Sequence, residues 1–363
     1  MQAKVRYSKM IADYIIVGQG IAGSNLALEL IERGKKVVIF DNNFKAAACL
    51  VAAGVINPIT GQRLVKSWRS DVAHPYAKNH YKLLEKKLSA EFYRDRKILQ
   101  LCKSAEEHEL WAKRLQDSVY AQFIGEGSQK PMFTGLNDKF GHHFIERSAW
   151  VETSTIMPAF ANFFKSLGVL RCEEFDYNAI QFVDEKIQYK DISARGIIFC
   201  EGWQVLKNPY FSWLPYRCAK GEILQVRSSA ELPEHIIHRG NWIMKCSANE
   251  FRIGSTWDRE NLNDVSTESA RKELLNAIPN IIVGENDFEV VRHSAGVRPC
   301  TATTRPHLGV HPKFRQLFSF NGFGSKGYAL SPYFACEFAD FLDGKKDVDS
   351  EADLKRHIKK FYR

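Results

Sequence analysis

Apolar residues gather early in the chain. Asp13 to Val17 (DYIIV) is a short apolar run that ends at a glycine, the pattern of a strand buried on both faces of a sheet. From Ile21 to Arg33 the spacing becomes helical, with Ala22, Leu26, Leu30 and Ile31 on one side, and Gly34 marks the stop. Val37 to Phe40 is a second continuous apolar run, closed by Asp41. These residues predict a complete β-α-β unit. The far end of the chain repeats part of it: a strand over Leu317–Phe320, a glycine-bearing turn, and a helix over Tyr328–Phe341.

The middle is mixed. The pattern predicts helix from about His74 to Asp117, short strands and turns over Met132–Ser148, and an amphipathic helix over Thr153–Leu167. A strand is predicted near Val169–Phe175 and another, GIIFCEG, over Gly196–Gly202. Glu222–Arg227, Asn241–Cys246 and Glu250–Gly254 alternate like antiparallel strands, and Ser266–Ile278 is helical. The tail from Ser350 reads as a charged helix, with Ser350 and Asp353 spaced like a capping box. Nucleotide-type signals at both ends around such a middle predict one nucleotide domain assembled from separated segments, with a second domain inserted.

Composition adds bounds. With 363 residues, 45% of them hydrophobic, the chain is long enough for two domains. No run of eighteen apolar residues occurs, so no membrane span is expected. The N-terminus reads as a lead-in to the first strand and not as a signal peptide. Eight cysteines without a C-x-x-C pair fit reduced thiols in a cytoplasmic protein. His142 and His143 are adjacent but lack a ligand cluster, so no metal is expected. The net charge of +9 suits either a solvated basic surface, the reading favoured here, or an anionic partner such as nucleic acid. Oligomeric state is left open.

Gly18, Gly20 and Gly23 spell G-x-G-x-x-G between a strand and a helix. In that setting the glycines allow a tight turn, close approach of a diphosphate, and helix–strand packing, while the helix start offers N–H groups to the phosphates. Asp41 stands where a carboxylate can bind ribose hydroxyls. The motif predicts a dinucleotide without separating NAD from FAD. Gly322, Gly324 and Gly327 spell the same pattern, but no buried strand with a terminal acid follows, so a second dinucleotide is not expected.

The order of these motifs resembles the FAD-dependent D-amino acid oxidase superfamily, in its glycine and sarcosine oxidase-like branch. The resemblance covers almost the whole chain. It rests on VGQGIAG with Asp41, AAGVINP, WVETSTIMPAFANFFKSLGV, GIIFCEGW, RIGSTWD, SAGVRPCTATTRPHLGVHP and NGFGSKGYALSP. It implies an α/β fold: a Rossmann-like FAD/NAD(P)-binding domain from residues 11–75, 149–206 and 290–345. An inserted antiparallel-sheet α+β substrate domain would come from 76–148 and 207–289, with a C-terminal helix at 346–363. One noncovalent FAD is implied. Its expected contacts are Gly18, Gln19, Gly20, Ile21, Ala22, Gly23, Asp41 and Asn42, then Gly54, Val55 and Asn57. Cys200 and Gly202 follow, then Gly322, Gly324, Ser325, Lys326 and Gly327. The CEG at Cys200–Gly202 stands where the family usually has Ala-Thr-Gly or Ala-Ala-Gly, so Glu201 is a departure.

The resemblance also assigns chemistry. Arg298, in GVRP, would pair with a substrate carboxylate, for which a planar guanidinium fork is suited. In sarcosine-oxidase relatives this position can be the cysteine bonded to flavin, and arginine excludes that link here. The closing glycine turn would face the pyrimidine end of the flavin ring, with Lys326 adding positive charge. Ser325 stands where some relatives carry a second carboxylate-binding arginine, a departure that bears on glycine-like substrates. The implied reaction is oxidation of an amino acid or secondary amine by hydride transfer, followed by imine hydrolysis. Trp203, Trp257 and Tyr328 are pocket or core candidates. Arg63, Lys66 and Arg69 form a basic cluster that is either solvated or selective for anions. Two other readings remain: an oxidoreductase that modifies tRNA wobble uridine, and a non-catalytic flavin-binding protein.

Overall fold

Four parallel strands end in one row. In the computed structural model, which describes residues 10–43, 47–61, 63–284 and 287–362, Met10–Val17 pairs in parallel with Val37–Phe40 and with Ile192–Phe199, and Leu317–Asn321 pairs in parallel with Ile192–Phe199. The register sets Val17 beside Phe40 and Phe199, and Phe199 beside Ser319. Gly18, Asp41 and Cys200 therefore leave the same end of the sheet, and Gly322 follows the fourth strand there. Leu170–Arg171 extends the sheet beyond Val37–Phe40, also in parallel. Lys186–Tyr189, Ile180–Val183 and His307–Val310 complete it as antiparallel strands.

These elements belong to one of two compact units, made of Met1–Ala47, Met157–Cys218 and Arg298–Arg363. Its central strands are continuous apolar runs because both faces are covered. Ile15, Val38, Ile197, Phe199 and Leu317 are buried in one core with Phe40, Phe175 and Tyr189. The rings of Phe175 and Tyr189 stack at 4.4 Å. Each such large side chain contributes about 1.5–3 kcal/mol by leaving water. The helices Ile21–Glu32 and Gly327–Leu342 are tied together by Asn25 Nδ2 donating to Ser331 Oγ at 2.9 Å and by Arg33 paired with Asp340 at 2.6 Å.

The other unit comprises Ala48–Ile156 and Ala219–Val297. Its eight-stranded sheet includes the antiparallel series Ala219–Arg227, Glu250–Gly254, Asn241–Lys245 and Ile236–Arg239. Ile236–Arg239 then runs parallel to Ile98–Leu101, which pairs antiparallel with His142–Ile145. Helix Glu268–Ile281, capped by the Thr267 hydroxyl, buries Leu274, Ile278 and Ile281 against Leu224 and Ile253. Among the described residues no helix is long and apolar enough to cross a membrane.

Several expectations are corrected. The predicted helix over 74–117 is two helices, Ser70–Leu88 and Ala105–Leu115, separated by strands Tyr93–Asp95 and Ile98–Leu101. The Glu85 carboxylate accepts from the N–H groups of Phe92 and Tyr93, turning the chain, and all four residues of Ile98–Leu101 are buried in the sheet. The strand near 169–175 shrinks to Leu170–Arg171. The tail is a 3-10 turn, Leu354–His357, followed by one helical turn. Asp353, not Ser350, caps it, and Leu354 lies in the core of the first unit, so residues 346–363 are part of that unit. Residues 48–75 belong with the second unit, because Val55–Ile56 pairs with Ala149–Trp150. Residues 149–156 and 290–297 also lie in the second unit, and 207–218 in the first, where Phe211 and Leu214 join the core.

Candidate functional site

The first glycine turn is built by backbone contacts. Gly18 has φ +99°, and its N–H donates to the Phe40 carbonyl at 2.8 Å. A Cβ on Gly18 would lie 2.6 Å from the Cys200 carbonyl oxygen, and one on Gly23 would lie 1.9 Å from the Gly18 carbonyl oxygen. Side chains are thus excluded where the helix start meets the strand ends. Gly20 is the N-cap of helix Ile21–Glu32, without a side-chain cap bond, and no acid occupies the first turn that contains Ile21 and Ala22. Asp41 braces the loop: Oδ2 accepts from Gln19 N and Oδ1 from Asn43 N, both at 2.7 Å. Each carboxylate oxygen keeps a second lone pair for a hydroxyl group. Asn42, next to it, is exposed.

The closing glycine turn is linked to two further segments. Asn321 donates through Nδ2 to the Gly202 carbonyl at 2.9 Å and accepts from Gly322 N at 2.8 Å. The strand end at Cys200–Gly202 and the closing turn are therefore held together. Gly324, with φ +57°, donates its N–H to the Pro299 carbonyl at 3.2 Å. A Cβ on Gly324 would lie 3.4 Å from Cys300 Sγ. This seats the segment containing Arg298 against the closing turn. A Cβ on Gly327 would lie 2.9 Å from Ile21 Cγ2, so the two helix starts are neighbours.

The cations here are perturbed. Burial lowers the Lys326 pKa, and Arg305 lowers it further; among the described residues no carboxylate pairs with its ammonium. Burial also lowers the pKa of Arg298, with Cys300 opposing. In both groups burial disfavours the charged form, and a nearby anion would favour it. Ser325 is exposed, Tyr328 is buried, and Trp203 is partly buried.

Three expected cofactor residues are in the other compact unit. Gly54, Val55 and Asn57 belong to the second unit, where the Gly54 carbonyl accepts from Val151 N at 2.9 Å and Asn57 Oδ1 accepts from Ile59 N at 2.9 Å. Trp150 Nε1 donates to the Ala53 carbonyl, and Arg252 Nη2 to the Val51 and Ala52 carbonyls. Trp257 is also in that unit and is 52% exposed. Arg63 is exposed, Lys66 lies 3.6 Å from Asp71, and Arg69 sits over the Trp68 ring. Residues the sequence did not single out are Asn321, Tyr177 and Asn208. The last two hold Glu201, and the unusual acid in CEG was the available signal.

The geometry suits a dinucleotide. Two adjacent helix starts without acids, a turn too close for side chains, and a strand-end carboxylate fit a diphosphate and a ribose. The fold and site thus define a Rossmann-type dinucleotide-binding protein with a second unit inserted. The family model described as FAD dependent oxidoreductase matches residues 13–341. The chain belongs to this family of FAD-dependent oxidoreductase enzymes. It is similar to the glycine oxidase of Bacillus subtilis, at 22% identity over 92% of this chain and 93% of that one. It is also similar to the glycine oxidase of Pseudomonas aeruginosa, at 25% identity over 39% of this chain; that match spans 40% of the relative. The crystal structure of glycine oxidase from Geobacillus kaustophilus superimposes with a TM-score of 0.81, at 20% identity, over 96% of this chain and 100% of that one.

Proposed function

We propose that the enzyme oxidises an amino acid or secondary amine at its amine-bearing carbon, with FAD held noncovalently. An arginine at position 298 excludes a cysteinyl flavin link there. The observation that carries the reading is the Gly324 N–H bond to the Pro299 carbonyl, which brings Arg298 to the closing turn that bears Lys326. Arg298 would take the substrate carboxylate through its planar fork and so orient the neighbouring C–H bond. Lys326 and the start of helix Gly327–Leu342 offer positive potential to an anion at that turn.

Bound FAD supplies the two-electron acceptor. The substrate loses a hydride from carbon and a proton from nitrogen; water then adds to the imine and releases a carbonyl compound and an amine. The first unit has one complete β-α-β dinucleotide signal, and the second unit's sheet is mainly antiparallel. Both features favour an organic electron donor over NAD(P)H. The glycine oxidase relatives agree with a small amine-bearing substrate.

The test is Arg298→Ala, assayed by anaerobic flavin bleaching. FAD should stay bound. Reduction by an N-alkyl amino acid should slow by about a hundredfold, the scale of a misplaced reacting bond, while the corresponding simple amine should change little. Arg298→Lys should restore part of the loss. An equal fall with both substrates would sink the assignment of Arg298 to the carboxylate.

A further inference from the structure

Glu201 is an acid placed directly behind the first glycine turn. A Cβ built on Gly18 would lie 3.3 Å from Glu201 Cα. Glu201 keeps some solvent contact as a residue, but its carboxyl group is buried and held by Tyr177 and Asn208. The Tyr177 hydroxyl donates to Oε1, and Asn208 Nδ2 donates to Oε2 at 2.7 Å. Asn208 is fixed in turn, since its Oδ1 accepts from Tyr210 N and Phe211 N. Both partners of the carboxyl group are therefore neutral donors.

The titratable groups around it are neutral or acidic. Cys200 lies beside it on the strand end, and Tyr177 and Tyr216 feel its charge. Glu174 stands behind Tyr177. Among the described residues no cation figures among the influences on Glu201 itself. A carboxyl group so placed meets a burial cost on ionising that two neutral hydrogen bonds offset only partly. Burial raises its pKa to about 7, with Asn208 and then Tyr177 opposing.

We propose that Glu201 is a proton-operated control on dinucleotide affinity: as a neutral acid it tolerates the diphosphate at the Gly18 turn, and as a carboxylate it repels it. The physical cause is like charge within one poorly hydrated site, where Coulomb interactions are screened far less than in water. A small residue at this position would leave the turn indifferent to pH, and the acid makes it responsive. Reciprocity requires that FAD binding draw a proton onto Glu201 in the window just above neutrality. In the apoprotein the same shift has a stability consequence. The folded pKa lies above the unfolded one, so the contribution is present at low pH and fades as pH rises through about 7.

The test uses apoprotein and FAD, read by quenching of flavin fluorescence between pH 6 and 8.5. FAD Kd should rise about tenfold over that range in the wild type, from one added like charge. In Glu201→Gln the profile should flatten. In Tyr177→Phe a hydrogen bond to the carboxylate is lost, so the midpoint should move up. Calorimetric titration at pH 8 in two buffers of different ionisation enthalpy should show proton uptake in the wild type and none in Glu201→Gln. If the wild type and Glu201→Gln keep the same pH profile, or if the Tyr177→Phe midpoint does not move, the inference is overturned. Failure to bind FAD at any pH would instead overturn the dinucleotide assignment.

Discussion

The turn at Gly18–Gly23 is closed by backbone atoms, whereas the start of the helix after Gly322–Gly327 is closed by a side chain. Both segments read G-x-G-x-x-G. At Gly23 an added methyl would meet the Gly18 carbonyl oxygen at 1.9 Å, and nothing there can rotate away. At Gly327 the nearest atom is Ile21 Cγ2 at 2.9 Å, the end of a movable side chain. The two turns also differ in their braces. Asp41 binds the first loop through Gln19 N and Asn43 N, while the second is held by Asn321 and the Pro299 carbonyl. An identical motif therefore builds a turn closed by backbone in one place and a junction between three segments in the other. The surrounding contacts decide which.

The largest effect should come from Gly23→Ala. Its methyl forces helix and loop apart, an overpacking cost of about 3 kcal/mol or more. Bound flavin should be lost on purification, with a lowered melting temperature even in added FAD. Retention of stoichiometric FAD would show that the first turn yields as easily as the second and would erase the contrast. A smaller effect is expected for Asp41→Ala, which removes the loop brace and, in the role proposed for it, a ribose acceptor. FAD affinity should fall by about 1–3 kcal/mol, the scale of a hydrogen bond to a charged group. Equilibrium dialysis decides this, and unchanged affinity would leave Asp41 as a loop brace alone.

The difference between the turns also explains what could be read in the sequence. The first unit's β-α-β was legible because strand, glycines, helix and acid are local in the chain and each has its own period. The link between Gly324 and Pro299 was not legible from periodicity, because it joins a loop to a distant segment. Nor was the place of residues 48–75, since Val55 finds its partner at Trp150. Charge and helix propensity over 74–117 hid the strand Ile98–Leu101, whose burial on both faces comes from neighbours far along the chain. Glu201 stood out only as an acid where small residues were expected. Its meaning needed Tyr177 and Asn208, which carry no pattern of their own.

The smallest effect should come from Gly327→Ala, the direct counterpart of Gly23→Ala. Gly327 has ordinary helical geometry, φ −55° and ψ −46°, so no left-handed conformation resists the change. Alanine favours helix over glycine by up to about 1 kcal/mol, less at a first turn than in an interior. Against this stands one contact that Ile21 relieves by rotating its side chain, at a cost of about 0.5–1.5 kcal/mol if it leaves its preferred rotamer. The two nearly cancel, so stability of the apoprotein should change by less than about 1 kcal/mol. FAD affinity provides the second measurement. A methyl that only pushes Ile21 should leave it within a few-fold, whereas a loss like that of Gly23→Ala with apoprotein stability intact would mean that the cofactor itself comes as close to Gly327 as the Gly18 carbonyl does to Gly23. Thermal melting of the apoprotein and FAD titration of the same variant separate these outcomes, and only the first preserves the division between a turn closed by backbone and one closed by a side chain.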